Sequence, residues 1–569
     1  MIKENLNYIK KLLKKREIFN LYIYFLFSIL VSILEIISLG IIPALFSILI
    51  DPTILINKFE FNEYILKKIT ILIELPNLLF LLCLGTIIFF FLKSIIIFLF
   101  QIFDSKLFNA LKVNLSAKMF KIYLNKDYLF HSINDPIILG RNITSEVNIS
   151  ISHIKSFITI TKESLQLLLI FLLLLFANYK ITLIIFGVFL LISFLYLKIF
   201  KKRMKQKSEI AFFERGFKSK IINQILNAII EVKLYEKENF ILDKFIKSTK
   251  NENRSYMFLE IINKIPRIFF ELLVVTIVCL ALLTALNLGF QIEAVAAIIG
   301  LYFLAAIRAY PSINNILIQN IALINGKVSI NKLCNELNKS NLSENNEKKS
   351  NQNFDFNNSI EFKNISFNYP NRKNILTNLN LKIQKNKVIG IKGDTGSGKS
   401  TVIKLVMNLL EPTSGVIEVD GHPMNTIQNS WRKKISYIPQ NFYVLNESIM
   451  ENIFFSEDES EHDLKKISRV LKFSKLDKFI DSLPEKLDTI VGPNGKVLSG
   501  GQAQRLSIAR ALYQDREILI FDEATNALDQ DTESQILQNI CQLKNTKTII
   551  IISHNKDVME KCDHVLEIK

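Results

Sequence analysis

Cysteine is scarce in this 569-residue chain. Its five copies, Cys83, Cys279, Cys334, Cys541 and Cys562, are odd in number, and none pair at metal or redox spacing. That argues against a disulfide-stapled fold or a thiolate metal centre and leaves isolated reduced thiols. A cleavable signal peptide is not evident either. The basic segment from Lys10 to Arg16 precedes an apolar run far too long for an h-region. Charge is nearly absent from that run: between Glu17 and Asp51 the one charged residue is Glu35. A helix of that length reaches about 50 Å against a hydrocarbon core of about 30 Å, so it is expected to protrude from a bilayer.

The chain is too long for one core, so two or more domains are expected. Hydrophobic residues make up 49% and charged residues 22% of it, a mixture that fits a membrane half joined to a soluble half. The formal net charge is +17, from 70 Lys and Arg against 53 Asp and Glu. Nucleic acid and an anionic membrane face could each answer such charge. The basic residues cluster beside long apolar runs, which favours the membrane, and no nucleic-acid partner is expected.

Six spans are predicted, at about 18–50, 77–103, 157–177, 181–200, 267–289 and 294–321, within a membrane domain of residues 1–334. The third and fourth are joined only by Asn178-Tyr179-Lys180, which forces an antiparallel pair. The N-terminal segment and the connections 104–156 and 201–264 are strongly basic, whereas 287–293 has no basic residue. Both termini and the long connections are therefore expected in the cytoplasm. Lys93, Arg267 and Arg308 interrupt apolar runs. Each costs roughly 2.5–3.5 kcal/mol at mid-bilayer, so a lipid-facing position is disfavoured. They could line a water-filled cavity that attracts an anion, snorkel at a helix end, or pair with Glu35 or Glu271. Residues 335–359 turn to Asn, Ser, Lys and Glu and read as a linker.

Residues 360–569 read as an α/β domain. The apolar strand Val388–Ile391 runs into Gly393-Asp394-Thr395-Gly396-Ser397-Gly398-Lys399-Ser400, followed by Thr401. This GxxxxGKS pattern lets backbone N–H groups approach phosphate, with a helix N-terminus aimed at the same place. Lys399 is expected at the β- and γ-phosphates of ATP and Ser400 on Mg²⁺. The wholly apolar Ile518-Leu519-Ile520-Phe521 is a predicted buried parallel strand that delivers Asp522 and Glu523 to its C-terminal end. One carboxylate can hold hydrated Mg²⁺ while its neighbour polarises the attacking water. A second such strand, Thr548–Ile552, ends at Ser553-His554, placing His554 for a γ-phosphate contact.

With Gln440 in Tyr437-Ile438-Pro439-Gln440 and Leu498-Ser499-Gly500-Gly501-Gln502, these motifs stand in the order and spacing of the ATP-binding-cassette (ABC) ATPases. The chain from Ile360 to Ile568 resembles that family. The resemblance implies that Tyr369 stacks on adenine and that Gln440 links Mg²⁺ and the γ-phosphate to the membrane domain. It also makes Asp522 a Mg²⁺ holder, Glu523 the general base and His554 the switch histidine. Ser499 and Gly501, within the 499–502 signature, would touch ATP bound by a second copy, and Asp529 would lie in the D-loop at the dimer seam. Two positions depart from the family pattern: Asn526 stands where Ser is usual, and Pro493 where the exporter X-loop is acidic.

Six spans before one cassette resemble the exporter type of ABC protein, working as a homodimer. Within it the chain is most similar to the PglK-type flippases of lipid-linked oligosaccharides. Ser32-Ile33-Leu34-Glu35, Lys93, Ile265-Pro266-Arg267-Ile268 and Arg308-Ala309-Tyr310-Pro311-Ser312 carry that likeness, although Asn315 replaces a further basic residue. The expected function is ATP-driven flipping of an anionic lipid-linked saccharide across the bacterial cytoplasmic membrane. The alternative is export of another amphiphile, such as lipid A, a peptide or a drug. Segments near 127–141 and 217–226 are the expected coupling helices.

Overall fold

The computed structural model describes residues 2–50, 78–177, 179–287, 292–344, 354–370, 372–455, 463–492, 497–525 and 528–568. Its contacts separate two units. One is Met1–Lys126 with His131–Ser343, and the other is Asp127–Phe130 with Glu344–Lys569.

The helices before the sheets are α1 (Ile2–Leu12), α2 (Lys15–Ile50), α3 (Leu78–Leu124), α4 (Tyr128–Ile133), α5 (Pro136–Arg141), α6 (Val147–Ala177), α7 (Tyr179–Asn227), α8 (Ile229–Leu234), α9 (Glu238–Asn287) and α10 (Ile292–Glu344), and all but the first half of α4 and the last residue of α10 lie in the first unit. In α1 the buried Asn5, Tyr8, Ile9 and Leu12 repeat at helical spacing and Lys10 and Lys11 stay outside, the pattern of a helix lying along a surface. The six apolar stretches read from the sequence fall in α2, α3, α6, α7, α9 and α10; residues 77, 288 and 289 lie outside the described residues. Among the described residues, 15–38, 80–124 and 136–176 contain helix long and apolar enough to cross a membrane.

These helices outrun the bilayer, which about 20 residues can span. Helix α7 has 49 residues and α9 has 50, so the polar connection 201–264 is largely a continuation of the two. Their polar stretches are tied by side chains. Glu214 accepts hydrogen bonds from Ser248 Oγ (2.7 Å) and Asn251 Nδ2 (2.9 Å), and Lys218 pairs with Glu252. Phe171 of α6 stacks on Phe186 of α7 at 4.2 Å between ring centroids, within the tight antiparallel pair. Helix α10 runs on to Glu344, ten residues into the segment expected as a linker from 335. Leu337, 3% exposed, still finds burial there and holds the extra turns in place.

The second unit carries two sheets. Its strands are β1 (Ser359–Tyr369), β2 (Arg372–Gln384), β3 (Val388–Gly393), β4 (Ser414–Val419), β5 (His422–Pro423), β6 (Ile435–Ile438), β7 (Ile518–Asp522), β8 (Thr548–Ile552) and β9 (His564–Ile568). Four form an antiparallel sheet in the order β2-β1-β4-β5, and five a parallel sheet in the order β6-β7-β8-β3-β9. Every residue of β7 and β8 is buried, which is why both read as unbroken apolar runs rather than alternating ones. Between the sheets lies one apolar core that includes Ile360, Phe362, Val402, Ile520 and Trp431. The indole of Trp431 donates to the Val406 carbonyl at 2.7 Å and meets Phe356 edge-on at 5.6 Å. Tyr128 and Leu129 pack against this same core, with Lys404 Nζ 5.3 Å from the Tyr128 ring centroid. Val388, Ile438, Ile508, Phe521 and Ile549 cluster on the parallel sheet, and Ile449, Ile467, Leu471, Val491 and Leu506 form a further cluster.

Candidate nucleotide-binding site

The parallel sheet gathers the predicted motifs along one edge. Strand β3 leads into the phosphate loop, β6 into Pro439-Gln440, β7 ends at Asp522 with Glu523 next, and β8 is followed by Ser553-His554. All four exits are C-terminal strand ends of an open α/β sheet, where such folds bind ligands.

After Gly393 the loop turns into the helix Lys399–Val406 (α11). Gly398 caps it at φ +94°, and a Cβ there would come within 2.8 Å of Leu376 Cδ2, so both conformation and space select glycine. A Cβ on Gly393 would collide with the backbone carbonyl of Ile568 at the end of β9. Lys399 is buried and donates to the carbonyls of Gly393 (2.7 Å) and Asp394 (3.0 Å). Thr401 is buried within α11, whereas Asp394, Thr395, Gly396 and Ser400 are exposed. Ser397 Oγ is buried without a hydrogen-bond partner, a donor whose valence a phosphate oxygen would satisfy.

The two acidic residues at the end of β7 have different surroundings. Asp522 is 6% exposed, and burial pushes its pKa above the ordinary carboxylate value, opposed by a 2.9 Å hydrogen bond from the Tyr437 hydroxyl. Burial and the Asp522 charge push the Tyr437 pKa upward, so its hydroxyl keeps the proton it donates. Glu523 adopts φ +49°, a left-handed conformation uncommon for a residue with a Cβ. Its N–H donates to the Ile552 carbonyl (3.0 Å), its Oε2 accepts from Gln440 Nε2 (2.6 Å), and Oε1 lies 3.5 Å from His554 Nε2. The structure thus joins Gln440, Glu523 and His554 directly. A set of hard oxygens on Ser400, Gln440 and Asp522, few in number, suits a divalent ion that keeps most of its waters, as Mg²⁺ does.

The signature residues stand beside the cluster of Ile449, Ile467 and Leu506. Ser499 caps the helix Gly500–Tyr513 (α12): its Oγ accepts from Gln502 N (3.2 Å), and Gln502 Oε1 accepts from Ser499 N (2.8 Å). This reciprocal box turns the N–H groups of Gly500 and Gly501 into a helix N-terminus suited to an anion. Helix α12 contributes Ala503, Leu506 and Ala509 to that cluster. Asp529 caps the helix Gln530–Gln542 (α13) through Thr532 N at 2.9 Å, and that bond lowers its pKa. Tyr369 packs edge-on against Phe367 at 4.9 Å. Residues 493–496 and 526–527, with the Pro493 and Asn526 departures, lie outside the described residues.

In the helical unit, Arg308 forms an ion pair with Glu35. Lys93 donates to Ser38 Oγ at 2.7 Å and lies 5.2 Å from the Phe90 ring centroid. Both basic groups therefore meet α2 one turn apart, on the face that carries Glu35 and Ser38. Arg267 lies in α9, with its side chain outside the described residues. Asn315 donates to Glu163 at 3.3 Å. All five cysteines are free. Sequence reasoning overlooked Tyr437 as the partner of Asp522; a hydroxyl-bearing aromatic three residues before Gln440 was the available signal.

A phosphate loop, paired carboxylates and a histidine on one sheet edge, in a chain that also carries long apolar helices, define a membrane protein with a nucleotide-binding domain. The chain belongs to the ABC transporter family. The description "ABC transporter transmembrane region" matches residues 23–307 and "ABC transporter" matches 376–526. The leukotoxin translocation ATP-binding protein LktB of Mannheimia glucosida is 42% identical over 209 residues, 36% of this chain and 29% of that protein. The ATP-dependent lipid A-core flippase of Pectobacterium atrosepticum is 38% identical over 212 residues, 37% of this chain and 36% of that protein. The chain thus spans about a third of the length of the curated relatives it matches. A bacterial Atm1-family ABC exporter with ATP bound shares the fold, with a TM-score of 0.70 at 20% identity, over 96% of this chain and 94% of that one.

Proposed function

We propose that this chain is an ATP-driven exporter that flips an anionic lipid-linked saccharide across the bacterial cytoplasmic membrane, working as a homodimer with both termini in the cytoplasm. The observation that carries the ATPase reading is Glu523, held between Gln440 and His554 beside the buried Asp522. Glu523 accepts the proton of the attacking water, and His554 holds the γ-phosphate end of the site. Lys399 exchanges its two carbonyl partners for phosphate oxygens. Ser400, Gln440 and Asp522 would hold Mg²⁺, which when bound neutralises charge on the phosphates. Tyr369 supports the adenine. Ser499, Gly500, Gly501 and Gln502 form the surface that closes on ATP held by the second copy, with Asp529 at the seam.

Transport, rather than free ATPase activity, is supported by the match of residues 23–307 to the ABC transporter transmembrane region. Segments near 127–141 and 217–226 are the coupling helices in this reading. For the cargo, Lys93, Arg308 and Arg267 are the basic groups offered to a pyrophosphate-linked headgroup. The test is reconstitution in liposomes. Polyprenyl-pyrophosphate glycans should stimulate ATP hydrolysis and appear in the opposite leaflet, whereas cationic drugs should not. Stimulation by lipid A or a peptide alone would move the cargo to the alternative amphiphile.

A further inference from the structure

Tyr437 has no part in the roles assigned above, yet its hydroxyl donates a side-chain hydrogen bond to Asp522. Strands β6 and β7 are parallel neighbours with Tyr437 level with Ile520. Asp522 lies two residues beyond Ile520 and so projects to the same face. Two residues of strand advance the chain by about 6.6 Å, a distance the length of a tyrosine bridges and a shorter polar side chain does not. The hydroxyl therefore reaches diagonally across the strand pair to Oδ2 at 2.9 Å. A carboxylate as buried as Asp522 needs such a partner, and a bond to one oxygen also fixes the rotation of the other. Three residues on, Gln440 holds the adjacent carboxylate, Glu523, so one short segment grips both acidic groups separately.

We propose that Tyr437 is a positioning residue that orients the Asp522 carboxylate for a nucleotide-bound divalent cation. This rests on the reading that the cassette binds ATP with Mg²⁺. Tyr437→Phe keeps the ring that fills the site and removes the hydroxyl alone. The full-length chain in nanodiscs is titrated with ATP in EDTA and with ATP in Mg²⁺. Tyr437→Phe should bind metal-free ATP as the wild type does. The enhancement of affinity by Mg²⁺ should fall about 10-fold, the scale seen when an outer-shell partner of a metal ligand is lost. In an Asp522→Asn background the same substitution should add nothing, because the two residues act through one bond. An Mg²⁺ enhancement that is absent in the wild type or undiminished in the variant overturns the proposal. So does an equal loss of affinity with and without metal, which marks a merely structural role. A wild type that binds no ATP overturns the parent reading as well.

Discussion

Gln440 donates a 2.6 Å hydrogen bond to Glu523, so the residue expected to sense the γ-phosphate holds the expected base directly. The contact draws together the exits of β6 and β7, two neighbouring strands of the parallel sheet. Glu523→Gln keeps an acceptor for that amide while removing the basic oxygen. Phosphate release should fall about 100-fold or more, the usual range for a lost general base, with ATP affinity retained. Residual turnover close to wild type, measured beside an ATP titration, would assign the base elsewhere.

The buried Asp522 links function to stability. Its pKa is raised by burial, so the sign is that of a destabilising carboxylate. Below the ordinary aspartate value of about 3.9 both folded and unfolded chains hold the proton and nothing is lost. Above it the unfolded chain ionises first, and stability drains away until the native carboxyl also ionises. Asp522→Asn should therefore melt at a higher temperature than wild type at pH 7 without nucleotide, and the advantage should vanish towards pH 4. Each 1 kcal/mol recovered corresponds to about 2–4 °C in a domain of 150–250 residues. ATP hydrolysis should be lost in the same variant.

Trp431 is the single tryptophan, so selectively excited tryptophan emission reports on the cassette alone. Phe356, 1% exposed, lies edge-on to it. Phe356→Ala should destabilise the cassette by about 3–5 kcal/mol, the cost of emptying a buried aromatic site. The Trp431 emission should shift to the red at lower urea concentration than in wild type, with membrane-helix ellipticity unchanged at that point.

Glu35 and Arg308 form an ion pair between α2 and α10. Removing one partner leaves the other's charge uncompensated on a half-buried face among apolar helices, which costs stability. Glu35→Gln and Arg308→Ala should each lower the yield of folded protein in detergent, and the double variant should recover much of the loss. If Arg308 also receives the anionic headgroup, the double variant should fold yet show no glycan-lipid stimulation of ATP hydrolysis. A double variant that is stimulated normally would remove Arg308 from the cargo site.

Much of the cassette was legible because its chemistry dictates residue type. The phosphate loop needs glycine at φ +91° and +94°, and buried parallel strands need unbroken apolar runs such as Ile518–Phe521. Side-chain partnerships across strands were not legible. Tyr437 meets Asp522, 85 positions away, only because β6 pairs with β7 in one register. The pairing of Arg308 with Glu35 stood among three open readings, since apolar flanks reveal the cost of a charge and not who relieves it. The end of α10 was misjudged for a related reason: 335–344 is polar in composition, yet the buried Leu337 anchors it as helix.

The carbonyl of Ile568 fills the space that a Cβ on Gly393 would need, so the outer strand β9 doubles as a wall of the phosphate loop. A displacement of β9 would therefore reach the nucleotide loop through that one backbone oxygen. Substitutions that shift β9 should alter ATP affinity with every motif residue intact.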